Sequence, residues 1–146
     1  MAIIVDTGPL YALADKLDPY HKPVANFIAQ TQETLIIPSS VIPEVCYLML
    51  ANIGAKAEIA FLRALANQEL IVEHFTRADL TRAVEILEQY RDAELGMVDA
   101  TVMAMAERMK IKTILTVDRR DFGLFRPIHC EAFTLVPDLP RVKKIK

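Results

Sequence analysis

Asp6 and Asp118 each close a short apolar run, residues 2–5 and 112–117, that reads as a buried strand. Glu44 falls in the first turns after a second such run, residues 34–38, and Asp99 opens a helical stretch ahead of the run that Asp118 ends. In an open α/β sheet the ligand crevice lies beyond the carboxyl ends of the strands, so all four acids can face one opening. Helix N-termini attract Asp and Glu for capping and dipole reasons alone, so no single position is decisive. Convergence is what carries the chemistry. Four carboxylates within a few ångströms repel and raise one another's pKa unless a cation compensates. Oxygen ligands of this kind suit Mg²⁺ or Mn²⁺, whereas zinc asks for His or Cys ligands that the opening does not obviously supply. An acid cluster holding one or two divalent ions can activate water and stabilise the attacking and leaving oxygens of a phosphodiester being cut. Thr7, beside Asp6, is the hydroxyl best placed to position water or a metal ligand, although the Asp6-Thr7-Gly8-Pro9 run also favours a turn on its own account.

The elements that must position these acids follow from the apolar periodicity. Gly8 and Pro9 turn the chain into a helix with Leu10, Leu13, Ala14 and Leu17 as its stripe, and Asp18-Pro19 ends it. Pro23 suits the first turn of a second helix that turns Val24, Phe27 and Ile28 inward. Ser39-Ser40 offers a hydroxyl N-cap to a helix running through Glu44 to about Asn52, with Pro43 in its first turn. Beyond Gly54 a helix carries Ile59, Leu62, Leu65 and Ala66 on one face. Residues 70–75 form a third strand, and Thr76 caps a long helix with Leu80, Ala83, Val84 and Leu87 inward. Gly96 interrupts before a helix striped by Val102, Met105, Ala106 and Met109, and residues 132–136 add a further strand. Strands alternating with helices predict an α/β fold with a mostly parallel sheet of four to five strands, covered on both faces.

The 146 residues make one domain of ordinary size, 1–140, followed by a basic C-terminal tail, 141–146. A content of 53% hydrophobic and 25% charged residues with only 4 Gly excludes a disordered or low-complexity chain. Cys46 and Cys130 match no metal or disulfide spacing, which predicts free thiols in a reducing cytoplasm. His21, His74 and His129 are scattered and predict no site. The start of the chain does not read as a signal peptide, and no apolar run approaches the roughly 20 residues that span a bilayer. The net charge of −2 argues at first against a nucleic-acid partner. The tail, however, holds four Lys/Arg, so the 13 bases and 19 acids of residues 1–140 leave −6. If the acids are metal ligands, one divalent ion takes the formal charge from −2 to 0 and two take it to +2. A nucleic acid would then engage the metal-loaded form, with Arg119, Arg120 and the tail as the local positive features.

Four segments in order carry a family likeness: Ile3-Ile4-Val5-Asp6-Thr7-Gly8, Pro43-Glu44-Val45, Gly96-Met97-Val98-Asp99-Ala100 and Thr116-Val117-Asp118-Arg119-Arg120-Asp121-Phe122. Arg126-Pro127 and the closing Phe133-Thr134-Leu135-Val136-Pro137 extend it over nearly the whole chain. The sequence resembles the PIN-domain ribonucleases, and within them the VapC-type toxins of toxin–antitoxin operons. The resemblance implies a PIN-like α/β/α sandwich and a Mg²⁺- or Mn²⁺-dependent endoribonuclease whose acids match Asp6, Glu44, Asp99 and Asp118. It also implies an RNA substrate, a small antitoxin partner and a homodimer. Asp121 stands where related sequences often carry His, and Asp92 precedes Asp99 by seven residues; both are possible extra acids.

Three other readings compete. A housekeeping RNA-processing nuclease of the same family would share every one of these residues. A phospho-acceptor or Asp-nucleophile phosphatase also uses an Asp at the end of the first strand. A receiver domain wants paired acids and a late Lys, though, and a haloacid-dehalogenase-type phosphatase wants a second Asp two residues on, where this chain has Gly8. A non-catalytic binding module with vestigial acids would instead use apolar residues such as Ile59, Phe61 and Leu62 as its interface.

Overall fold

The computed structural model describes residues 1–139; the basic tail at 141–146 lies outside them. Five strands form one parallel sheet: β1 (Ala2–Val5), β2 (Thr34–Pro38), β3 (Ile71–Glu73), β4 (Thr113–Leu115) and β5 (Thr134–Val136). The upper limit of the four to five expected is the number found. Seven helices flank the sheet: α1 (Thr7–Ala14), α2 (His21–Gln30), α3 (Ile42–Asn52), α4 (Ala55–Ala66), α5 (Arg77–Gln89), α6 (Met97–Met109) and α7 (Arg120–Leu124).

The strand order is β3-β2-β1-β4-β5. The chain builds outward from β1 to β3 on one side, then returns to lay β4 and β5 on the other. The direction of winding therefore reverses between β1 and β4, and a reversal of this kind opens a crevice at the carboxyl ends of the two strands. Ile3, Ile4 and Val5 of β1 are buried, as a central strand covered on both faces requires. Helix α6 is buried on every side from Ala100 to Glu107, and its Ala100, Ala104 and Ala106 let neighbours approach closely. It forms the second axis of the core.

Two buried acids stitch α6 to α5. Glu107 accepts from Arg82 Nε at 2.7 Å and Nη2 at 3.2 Å, and from the Ile128 amide at 2.9 Å. Asp79 closes a reciprocal capping box with Thr76 and accepts from Arg108 Nε at 3.0 Å.

Several expectations need correction. Helix α1 stops at Ala14, so Leu17 is not part of its stripe and is 94% exposed. In α4 the buried residue is Phe61, while Ile59 and Leu62 stand half-exposed. In α5 the inward face is Asp79, Ala83 and Ile86, and Leu80 and Val84 look outward. The ion pair to Arg108 and the Thr76 box fix Asp79 toward α6, which sets the rotation of α5. Ser39 and Ser40 do not cap α3; they lie in a 3₁₀ turn, Ser39–Val41, that precedes it. Ser39 Oγ accepts from the Phe75 amide at 3.2 Å, and Ser40 Oγ accepts from Thr101 Oγ1 at 2.8 Å. Helix α7 was not anticipated, because five residues are too few to show a periodic stripe.

Candidate active site

Asp6 leaves β1 at the N-cap position of α1, yet its side chain makes no capping bond. It is only 6% exposed, and its Oδ2 lies 2.9 Å from Thr116 Oγ1. Thr116 follows β4 and continues the ladder, its amide donating to Val136 O at 3.0 Å. Its hydroxyl also lies 3.0 Å from the carbonyl of Asp118. One hydroxyl proton cannot serve both acceptors. An ionised Asp6 takes that proton; a protonated Asp6 donates instead and leaves Thr116 free to bind the Asp118 carbonyl. Thr116 thereby links the ends of β1 and β4.

Burial pushes the Asp6 carboxyl up to about 6, against the opposing pull of the Thr7 amide and the Thr116 hydroxyl, with the charges of Glu44 and Asp118 adding to the rise. Asp99, in the first turn of α6, is pushed up to about 7 by burial first, then by the charges of Asp6, Asp121, Asp118 and Glu44. The structure thus brings Asp6, Glu44, Asp99 and Asp118 into one electrostatic neighbourhood. Asp121, at the start of α7, joins them. Glu44 and Asp118 are exposed at the rim, whereas Asp6 and Asp99 form the floor.

Gly8 sets how tightly the rim closes, since a Cβ there would stand 2.5 Å from Val117 Cγ2. A side chain at position 8 would have to push Val117 aside, so glycine lets the turn before Asp118 pack onto the start of α1.

Asp92 is not brought in. It is exposed on a 3₁₀ turn, Arg91–Ala93, that ends at left-handed Glu94, so no continuous helix carries it onto the face of Asp99. Arg119 donates from Nε and Nη2 to the carbonyls of Thr116 and Pro137, a structural use of its guanidinium that ties the ends of β4 and β5 together. Arg120 is exposed at the first position of α7. His21 and His129 face the carbonyls of Ala12 and Ile111, and His74 is exposed. Cys46 and Cys130 are free thiols, and burial raises the pKa of Cys46.

The pocket fits a hard divalent cation by the chemistry of its donors. Asp6, Glu44, Asp99, Asp118 and Asp121 all offer carboxylate oxygen. Two buried oxygens, Thr7 Oγ1 and Asp121 Oδ1, have no hydrogen-bond partner among the described residues, and Thr7 is only 5% exposed. Among the described residues no three His, Cys, Asp or Glu side chains close into a ready-made metal cage. Mg²⁺ commonly keeps several waters and takes one or two carboxylates directly, so a looser ring of acids suits it. Sequence reasoning passed over Thr116. Its signal was a hydroxyl at a strand end two residues before an acid, though its partner lies 110 positions away.

Comparison with known proteins identifies the family and the fold. A PIN domain model matches residues 3–125. Ribonuclease VapC26 of Mycobacterium tuberculosis is 35% identical over 135 residues, covering 92% of this chain and all of its own length. The crystal structure of Mycobacterium tuberculosis VapC20, described as a sarcin-ricin loop cleaving toxin, superposes with a TM-score of 0.76 at 24% identity, covering 81% of this chain and 91% of that one. VapBC2 of Rickettsia felis, solved with a DNA fragment from its promoter, gives 0.66 at 18% identity, over 93% and 98% of the two chains. The two solved structures share the fold, and the domain match and the 35% relative extend the kinship to sequence. The chain belongs to the PIN-domain family, on its VapC branch.

Proposed function

We propose that this protein is a Mg²⁺- or Mn²⁺-dependent endoribonuclease and the toxin of a toxin–antitoxin pair. The observation that carries the reading is the pocket floor, where Asp6 and Asp99 are held together with raised pKa values and, among the described residues, no cationic side chain to compensate them. Kinship with a VapC ribonuclease supports RNA as the polymer that is cut.

Asp6, Glu44, Asp99 and Asp118 act as the ligand set, with Asp121 as a fifth acid. A divalent ion bound there supplies positive charge for the scissile phosphate and a water made acidic enough to attack near neutral pH. A cation held there would favour the ionised form of Asp6 and Asp99. Thr116 donates to the ionised Asp6 and holds its carboxylate in place. Thr7 offers its free hydroxyl to orient water, and exposed Arg120 is placed to meet a phosphate of the RNA. The reading brings with it a small antitoxin, a homodimer and a cytoplasmic setting. Solved relatives include toxin–antitoxin complexes. Around the groove between α1, α3 and α4 the exposed Leu13, Leu50, Ile53 and Ile59 supply apolar surface for a protein partner.

The test is cleavage of RNA by the purified chain with Mn²⁺, with EDTA, and after Asp6→Asn or Asp99→Asn. Each substitution is expected to abolish metal-dependent cleavage while circular dichroism stays unchanged, and calorimetry should show Mn²⁺ affinity lost in parallel. Full activity in either variant would sink the assignment. A small DNA-binding protein encoded immediately upstream that co-purifies with this chain and silences it would establish the toxin role.

A further inference from the structure

From Ala100 to Ala106 helix α6 is buried and apolar except at Thr101, which is fully buried as well. The Thr101 hydroxyl lies 2.8 Å from the Val98 carbonyl and 2.8 Å from Ser40 Oγ, 61 residues away in sequence. Ser40 is itself buried, in the 3₁₀ turn Ser39–Val41 that leads directly into α3. A hydroxyl both donates and accepts, so the two protons of the pair can make both bonds. Val and Ala would fill the same space without that demand, and an apolar pair of the same shape is nearly neutral for stability. A satisfied hydroxyl pair in such a place fixes geometry more than it adds stability.

The pair lies on a path between two acids of the pocket. The Val98 carbonyl belongs to the peptide group whose nitrogen is that of Asp99, so the Thr101 bond grips the backbone immediately before that acid. Ser40 stands four residues ahead of Glu44, and the turn that holds it opens onto the first turn of α3, where Glu44 sits. Ser39 Oγ accepts from the Phe75 amide at 3.2 Å, so the same turn is tied beyond the end of β3 as well as to α6. Glu44 is near enough for its charge to act on Asp99.

We infer that Ser40 and Thr101 are a pair of positioning residues, whose mutual bond sets the separation of Glu44 and Asp99 and thereby how well the pocket fits a divalent cation. This rests on the metal-dependent ribonuclease reading above. Neither hydroxyl serves as a ligand; both act through the backbone that carries the acids. Groups bonded directly to metal ligands typically contribute about 10- to 100-fold to affinity or activity, and a pair acting one step further out should contribute less, about fivefold.

The test measures Mn²⁺ affinity by calorimetry, and stability by urea titration in EDTA, for the full chain and four variants: Ser40→Ala, Thr101→Val, Thr101→Ser and the double variant Ser40→Ala/Thr101→Val. Each single apolar variant orphans the other hydroxyl, so it should lower the urea midpoint and weaken Mn²⁺ binding by about fivefold. Thr101→Ser keeps the bond and should bind Mn²⁺ as the parent does. The double variant separates positioning from packing. With no hydroxyl orphaned its urea midpoint should return toward the parent's, yet its Mn²⁺ affinity should stay about fivefold low, equal to a single variant and not the product of two losses. Affinity that recovers together with stability would overturn the inference, as would parent-like affinity in both single apolar variants. If Thr101→Val does not fold, Ser40→Ala against Thr101→Ser makes the same comparison. If the parent chain neither binds Mn²⁺ nor cuts RNA, the ribonuclease reading falls and the pair's role with it; if the parent does both and the variants match it, only the positioning role falls.

Discussion

The molecule buries acids in two places and treats them in opposite ways. On the α5–α6 seam, Asp79 and Glu107 are nearly inaccessible, and each faces an arginine: Arg108 at 3.0 Å and Arg82 at 2.7 Å. Burial alone would raise the Asp79 carboxyl, but its bonds from Arg108 and Thr76 outweigh that and hold it below the usual carboxylate range. At the carboxyl edge of the sheet, Asp6 is as deeply buried and meets other carboxylates, with Thr116 alone among the described residues donating to it by side chain. A buried charge is normally paired, because taking an ion out of water costs several kcal/mol after relaxation. The seam obeys that rule. The pocket breaks it among the described residues, and the divalent cation proposed above is what would compensate it.

The sharpest way to separate the two regions is to remove charge from each and compare stability without metal. Arg82→Met should cost about 2 to 4 kcal/mol, since among the described residues Glu107 keeps the Ile128 amide alone and becomes an uncompensated buried charge. Asp6→Asn should do the reverse and raise the denaturation midpoint at neutral pH, because it deletes a carboxylate whose ionised form is penalised. Urea titrations in EDTA read both. Equal losses from the two substitutions would mean that the pocket acids are structural after all.

The pH dependence should divide along the same line. Asp6 and Asp99 hold their protons in the folded chain up to about 6 and about 7, while in the unfolded chain they ionise near 3.8. Between those values the folded state binds more protons, so these two groups make the metal-free protein less stable as pH rises from about 4 to 7. Asp79 has the opposite sign. Its folded pKa is lowered, so its contribution is present above about 3.8 and is lost only on further acidification. Thermal melts in EDTA should therefore decline from pH 5 to pH 7.5, and Mn²⁺ should raise Tm more at pH 7.5 than at pH 5. A Tm that climbs over this range in EDTA would contradict the uncompensated floor.

What could be read from the sequence divides by range. That Asp6, Glu44, Asp99 and Asp118 come near one another was legible because each lies close to a strand end or a helix start, and an α/β topology gathers such places at one edge. The five-stranded parallel sheet followed from the alternation of apolar runs with helical stripes. The rest depends on partners distant in sequence. Arg108 and Asp79 lie 29 residues apart, and their pairing turns Leu80 and Val84 of α5 outward against the apolar pattern. Thr116 acquires its role from Asp6, and Arg119 acquires its role from the Pro137 carbonyl, neither of which local spacing reveals. Asp121 was ambiguous because α7 is too short to declare a face.

Asp121 is also where the pocket can be tuned most gently. Its Oδ1 is buried without a partner among the described residues, and its charge is the second largest carboxylate influence on Asp99, after Asp6. Asp121→Asn preserves shape and removes that charge, so the pKa of Asp99 should fall toward its ordinary value and Asp99 should ionise at lower pH. Cleavage would then begin at lower pH. At the same time one oxygen donor becomes an uncharged amide, which weakens attraction for the cation. The expected result is an acid-shifted pH profile combined with a few-fold higher Mn²⁺ requirement, read by cleavage rates across pH and metal concentration. A variant that shifts neither would place Asp121 with the seam acids, as a structural group, and reduce the pocket to four carboxylates.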